Sequence, residues 1–328
     1  MAKLLGSVLI FSMHCNALGD YKYGSIALQM LARWGVPFFF ICSSFFLFSN
    51  EKGGNITDEQ LRKYLHRLFA LYSIWLVYNL PNVFFLRLYL KDLKNPIVWL
   101  VFLKNSILSS TFTASWYLGS SIFSAWLVYV LCKRMKTQKV LLISAVLYLP
   151  CIFSSVYGGL LAQSIQDALS FACFPLNIVN GCVCFSLGKL ICENQPYISA
   201  KLSCCKCAFL FALFYIIYSF EILFADRFSI LKSTDVGFCV VPAAVFLFLM
   251  LLQLPIRVRD SVTLRKISTI VYLGQGNVLI AKSVCGKYLG VNTLLGQYLI
   301  ALSMISAIAI LVMHVQRKSE WRWVKYMT

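Results

Sequence analysis

Residues 13–44 read MHCNALGDYKYGSIALQMLARWGVPFFFICSS, and the class of the protein turns on this stretch. Two apolar segments flank a short polar turn. Each carries an ionisable side chain, His14 in the first and Arg33 in the second. Such groups cost at least a few kcal/mol each inside a bilayer, so where they occur there they mark a pathway or a site.

The composition makes the bilayer the expected surroundings. Of 328 residues, 60% are hydrophobic and 13% charged, with mean hydropathy +0.76. Soluble domains run to about 45–50% apolar and about 25% charged. The fold class expected is all-α: a polytopic membrane bundle forming one domain over 1–328. The net charge of +18 would suggest nucleic acid in a soluble protein. Here it reads as positive loops facing anionic lipid, and no nucleic-acid partner is expected. The first apolar segment lacks a small-residue cleavage site, so no removable signal peptide is expected. Most of the thirteen cysteines lie in or beside apolar runs, as small buried hydrophobes do. The cluster Cys204, Cys205 and Cys207 has no second ligand pair at zinc-site spacing, so no metal is expected.

A bilayer core asks for about 20 apolar residues per helix. Uncharged runs give ten candidates, near 4–19, 25–49, 68–86, 114–132, 140–158, 168–190, 207–225, 236–255, 267–286 and 292–313. Of the 30 lysines and arginines, twenty fall in one alternating set of connections and eight in the other. The larger set includes both ends of the chain, which predicts cytoplasmic termini.

Two connections are more than linkers. Residues 51–67 hold the turn signal Gly53-Gly54-Asn55, and Thr57 with Gln60 then reads as a capping box. A helix is therefore expected from Asp58, its basic entrance formed by Arg62, Lys63, His66 and Arg67. Residues 88–113 contain the short apolar run 96–103, expected to lie along the outer surface.

His14 lies eleven residues from Lys3, about 16 Å along a helix, which places it in the outer half of the bilayer. A neutral imidazole there can take a proton from a hydroxyl and return it; the alternative is a packed histidine bonded to a neighbouring helix. Arg33 serves a polar site or snorkels to the outer interface. Ser43 and Ser44 follow further inward, where they pack or bond backbone. Trp116 and Tyr117 open the fourth apolar segment, as pocket residues or as an aromatic belt. Asn177, Asn180 and Lys189 read as interhelical glue, and Glu221 as a solvated interfacial group. No phosphate-binding loop, zinc-protease motif or nucleophile elbow is present.

Together these residues resemble the acyltransferase-3 family, polytopic enzymes that O-acylate bacterial surface glycans. That family opens with a helix ending in histidine, with a basic residue eleven positions before it, matched by Lys3 and His14. Its second helix reads R-x-x-V-P-x-F-F-x-x-S-G, matched by Arg33, Val36, Pro37, Phe39, Phe40 and Ser43, with Ser44 where glycine is usual. A basic entrance follows, at Arg62, Lys63 and Arg67, and then an aromatic pair, at Trp116 and Tyr117. Phe174-Pro175-Leu176 with Gly181 and Gly188 is similar to the sixth-helix pattern. Two positions depart: lysine replaces arginine at 3, and Gln275 stands where many members carry a late histidine.

The resemblance implies a membrane-embedded O-acyltransferase of the bacterial inner membrane. It would take an acyl group from cytoplasmic acyl-CoA, acetyl-CoA foremost, to a hydroxyl of a surface or lipid-linked saccharide. It makes His14 and Arg33 catalytic, gives Lys3, Arg62, Lys63 and Arg67 to the donor, and gives Trp116, Tyr117, Ser43 and Gln275 to the acceptor or pocket. No tightly bound cofactor is implied. The reading kept beside it is a transporter or flippase for a lipid-linked or anionic solute.

Overall fold

The computed structural model describes residues 1–49, 54–86, 94–108, 110–171, 173–255, 259–318 and 322–328. All regular structure among them is helical. The first half of the chain gives α1 (Ala2–Cys15), α2 (Gly24–Arg33), α3 (Gly35–Phe48), α4 (Asp58–Tyr78), α5 (Leu80–Leu86), α6 (Pro96–Leu108), α7 (Ser115–Cys132) and α8 (Thr137–Ser154). Then come α9 (Gln163–Phe171), α10 (Cys173–Glu193), α11 (Gln195–Lys201), α12 (Cys204–Arg227), α13 (Val240–Gln253), α14 (Ser261–Leu273), α15 (Gln275–Tyr288) and α16 (Leu294–Lys318). Short 3₁₀ segments occupy Gly158–Leu160 and Arg322–Met327.

Each of the ten apolar runs contains helix, but not each contains one helix. Five helical stretches are long and apolar enough to cross a membrane: Gly24–Phe48, Ser115–Cys132, Thr137–Ser154, Cys204–Arg227 and Leu294–Lys318. Ala2–His14 and Val240–Gln253 are apolar but shorter. The ninth run, expected as one helix over 267–286, divides at Gly274 into α14 and α15. The third run is interrupted at Asn79, between α4 and α5. Pro81 explains that interruption, because its missing N–H cannot meet the carbonyl four residues back.

Local chemistry fixes several ends. The capping box forms as expected: Thr57 N–H donates to Gln60 Oε1 at 2.8 Å, and Gln60 N–H to Thr57 Oγ1 at 3.2 Å. Helix α4 accordingly starts at Asp58. Asn16, in the left-handed conformation at φ 53°, closes α1 by returning its N–H to Met13 and Ser12. Of the Gly53-Gly54-Asn55 turn, Gly54 and Asn55 are described, and Gly54 has φ +73°. Gly53 lies outside the described residues, as do 88–93 and 109 of the expected surface segment, whose apolar run forms α6.

The chain divides into two compact units. The first contains Met1–Ala32, His66–Gly119 and Val258–Thr328; the second contains Arg33–Leu65 and Ser120–Arg257. In the first, α1 packs on α14, α15 and α16 around Phe11, Cys15, Val271, Val278, Ala301 and Ile305. In the second, α3 packs against α10 and α13, α8 packs on α10, and α12 packs on α13. Helix α3 is buried on nearly every side. Its approach to α10 depends on Gly188, where an added Cβ would lie 2.6 Å from the Ile41 carbonyl oxygen. Ser44 occupies the facing position and donates its hydroxyl to the Phe185 carbonyl at 2.5 Å.

Candidate functional site

In the first unit, His14 sits in the last turn of α1. The apolar setting of the sequence suggested a buried imidazole, yet the residue is exposed. The reason is local: α1 stops one residue later, so no further turn of its own covers the ring. The helix end is nevertheless held firmly. Lys282, 8% exposed on α15, donates its ammonium to the Cys15 carbonyl at 2.6 Å. A cation at a helix C-terminus also answers the negative end of the helix dipole. One turn back, Ser12 donates its hydroxyl to Tyr298 Oη on α16 at 2.9 Å, and Phe11 packs near the same tyrosine ring. His14 thus projects from a turn clamped on both sides.

Lys3, at the other end of α1, is half-buried, and its carbonyl accepts the Ser268 hydroxyl from α14 at 2.9 Å. Trp116 and Tyr117 are half-buried at the start of α7, and the Tyr117 ring meets Tyr272 edge-on at 5.5 Å between centroids. Gln275, the first residue of α15, is completely buried, and its Nε2 donates to the Tyr272 carbonyl at 2.8 Å. Tyr117 and Gln275 are therefore joined through one residue, Tyr272.

In the second unit, Arg33 ends α2. Its Nε donates to Thr234 Oγ1 at 2.9 Å, and its Nη1 pairs with Asp235. The sequence left the partner of Arg33 open; the loop before α13 supplies it. Ser43 is half-buried, while its neighbour Ser44 is fully buried at the Gly188 contact.

The basic entrance lies on the first part of α4. Arg62 and Lys63 belong to the second unit and Arg67 to the first, and all three are exposed. Lys63 pairs with Glu59 one turn earlier at 2.7 Å, which holds the Glu59 carboxyl below its usual range. The pair is exposed and screened by solvent, so it leaves the basic cluster open to other anions. The start of α4 is fixed to the end of α7: Lys133 and Tyr129 both donate to Asp58 Oδ1, at 2.7 and 2.8 Å. Those bonds hold the Asp58 carboxyl below its ordinary value.

Two buried lysines find their partners far along the chain. Lys282 turned out to hold the His14 turn. Lys189, read as glue on the sixth apolar run, is 3% exposed. It reaches Gly54 O at 2.8 Å and Glu193 at 2.7 Å, and it stands 4.7 Å from the Phe48 ring centroid. Glu193 also accepts from Thr137 at 2.8 Å, so one lysine ties together the ends of α3, α8 and α10. Glu221, expected to be solvated, is half-buried and accepts the Phe238 N–H just before α13. Among the described residues, no group of three histidine, cysteine, aspartate or glutamate side chains is placed to hold a metal ion.

Comparison with known proteins adds a family and two relatives. Two curated proteins of Enterococcus faecalis, each named amino-acid racemase, are similar to this chain. One is 27% identical over 298 residues, covering 87% of this chain and 41% of the relative. The other is 26% identical over 161 residues, covering 48% of this chain and 22% of the relative. The chain therefore spans less than half the length of these curated relatives. No solved structure matches it. A family model described as an acyltransferase domain matches residues 1–314, nearly the whole chain, and the protein belongs to that acyltransferase family.

Proposed function

We propose that the protein is a membrane-embedded O-acyltransferase that moves an acyl group, acetyl foremost, from cytoplasmic acyl-CoA to a hydroxyl of a surface or lipid-linked saccharide. The observation that carries this reading is the family match over 1–314 together with His14 on a clamped, accessible helix end. In this scheme the His14 imidazole takes the proton of the acceptor hydroxyl as its oxygen attacks the acyl carbonyl. The C–S bond then breaks, and the departing CoA sulfur receives the proton. An accessible ring suits this task better than one sealed in the core, because the acceptor must reach it. Arg33 is the cation assigned to the developing negative charge or to the acceptor, with Asp235 balancing it at rest.

Donor binding is assigned to the exposed Arg62, Lys63 and Arg67, and to Lys3, since CoA phosphates favour charge-assisted contacts. Trp116, Tyr117, Ser43 and Gln275 are assigned to the acceptor or pocket. The arrangement of ten spans in one membrane domain with both termini in the cytoplasm belongs to the same proposal. It rests on the twenty-to-eight charge asymmetry.

The relatives' name concerns amino acids, but the better match leaves more than half of that relative outside the alignment. Racemase chemistry is accordingly not assigned to this chain. The deciding experiment is the mass of the cell's glycans with and without the intact gene. A fixed increment of one acetyl group, present only with the gene, is the expected result. Unchanged glycans with a gene-dependent change in solute or lipid-linked precursor distribution would move the reading to the transporter.

A further inference from the structure

The two helix interruptions of the first unit meet. The break between α4 and α5, at Asn79, faces the break between α14 and α15, at Gly274. Three side-chain amides stitch the junction. Asn79 Nδ2 donates to the carbonyls of Trp75 and Leu273, at 2.8 and 3.1 Å. Asn82 Nδ2 donates to the Gly276 carbonyl at 3.0 Å, and Gln275 Nε2 donates to the Tyr272 carbonyl at 2.8 Å. Backbone carbonyls only accept, so these bonds fix which end of each amide is oxygen.

Among the described residues, all three oxygens are left without a donor. Asn79 Oδ1, Asn82 Oδ1 and Gln275 Oε1 are buried acceptors with no hydrogen-bond partner, in residues that are 0%, 1% and 0% exposed. The neighbouring Asn277 has both ends of its amide engaged: its oxygen accepts from Asn82 N–H at 3.2 Å, and its nitrogen donates to Tyr78 O at 2.6 Å. Leaving one buried polar atom unpaired costs about 1–3 kcal/mol. Three at one crossing, beside an amide that is fully paired, are therefore a site rather than an accident of packing.

The space between them is set by Gly276. A Cβ there would collide with Asn79 Oδ1 and stand 3.2 Å from Asn82 Cγ, so the missing side chain is what lets both amides lie against the start of α15. Gln275 is the adjacent residue. A single water has two hydrogens for three acceptors, whereas a cation is bound by oxygen acceptors without that limit. No carboxylate takes part, and divalent cations with oxygen ligands ordinarily recruit carboxylates. Interrupted helices whose polar groups turn inward are also how membrane proteins hold monovalent ions.

We infer that Asn79, Asn82 and Gln275 form a binding site for a dehydrated alkali cation at the crossing of these two broken helices. This site shares Gln275 with the acceptor assignment above, but its evidence is the amide geometry alone.

The experiment uses the purified full chain in detergent. Thermal unfolding is followed during titration with sodium, potassium or N-methylglucamine chloride at constant ionic strength, alongside binding of radioactive sodium. The expected result is saturable stabilisation by sodium or potassium and none by N-methylglucamine, with the two alkali arms identifying the ion. In Gln275→Leu and Asn82→Leu, the half-saturating concentration should rise at least tenfold. Gly276→Ala should abolish binding by pushing the Asn79 and Asn82 amides out of place. Gln275→Leu removes one side-chain bond only, so it supplies the answer if the asparagine variant does not fold. Equal stability in all three salts, or saturable binding unchanged in Gln275→Leu, overturns the proposal and leaves the amides as interhelical fasteners.

Discussion

The two units bury their lysines in opposite ways. In the second, Lys189 lies under a carboxylate, a carbonyl and an aromatic ring, and Arg33 is likewise matched by Asp235 and Thr234. In the first, Lys282 meets the Cys15 carbonyl, and three amide oxygens close to the α14–α15 break have no donor at all. Among the described residues of the second unit, the orphaned oxygens are two serine hydroxyls, on Ser121 and Ser186. Charge in the second unit is thus matched by charge, as in a structural support. Polar groups in the first are held in place without being fully answered, as in a site that awaits something.

The largest test of this contrast is His14 itself. His14→Ala should abolish glycan acylation, a loss of about 10²–10⁴-fold as expected for a general base, while the protein accumulates at normal levels. His14→Gln keeps a hydrogen-bonding side chain without the base and should be equally inactive. Near-normal turnover of the glutamine variant in a product assay would make His14 a packing residue.

The two lysines should then separate stability from activity. Lys189→Met strands Glu193 in a largely buried setting, and breaking such a pair costs about 3–5 kcal/mol. The lower end applies, because Glu193 retains Thr137 and is 24% exposed. Lys282→Met removes one bond to a carbonyl and leaves no stranded charge, which predicts about 1–3 kcal/mol. It should nevertheless lower kcat, because the turn bearing His14 loses its clamp. Melting temperatures and turnover measured side by side check both halves. A Lys282 variant with the larger stability loss and unchanged kcat would reverse the comparison.

At the α4 entrance the expected effects are smaller. Arg67→Ala should raise KM for acyl-CoA roughly tenfold, the equivalent of one charge-assisted phosphate contact, and leave KM for the acceptor unchanged. An unaltered donor KM would return the basic cluster to the role of membrane-surface anchor. Smallest is the cap: Thr57→Ala should cost about 1 kcal/mol in a denaturation experiment. Asp58 adds a weak pH dependence of known sign. Its carboxyl is held below 3.8 in the folded protein, so its contribution is present above that pH and fades as pH falls through the lowered value. A pH titration of melting in which Asp58→Asn removes part of the acid sensitivity would confirm the direction.

Much of this was legible in the sequence because it depends on near neighbours. The capping box needs only Thr57 and Gln60, and it formed as read. The apolar runs announced helices because bilayer-length hydrophobicity is a local property. The histidine at the end of α1 and the Arg33–Pro37 pattern carried the family, which the match over 1–314 shows. What stayed hidden depends on distant partners. Nothing near position 33 names Asp235, and nothing near position 189 names Gly54. The interruption at Gly274 was missed because a lone glycine in an apolar run is compatible with a continuous helix. The exposure of His14 was missed for a related reason: an apolar neighbourhood in sequence says how greasy the helix is, not where it stops.

The Gly188 contact carries a consequence for heredity. Alanine, the mildest replacement available, would already place its methyl 2.6 Å from the main-chain oxygen of Ile41, an atom that no side-chain rearrangement can move aside. Position 44, directly opposite, is held only by a hydroxyl bond to Phe185 O and can lose it at the modest cost of one hydrogen bond. In a randomised library selected for folded protein, 188 should survive as glycine in every clone, while 44 drifts among serine, alanine and glycine. Two residues that touch each other would thus record entirely different mutational histories, and the one with no side chain would be the one that cannot change.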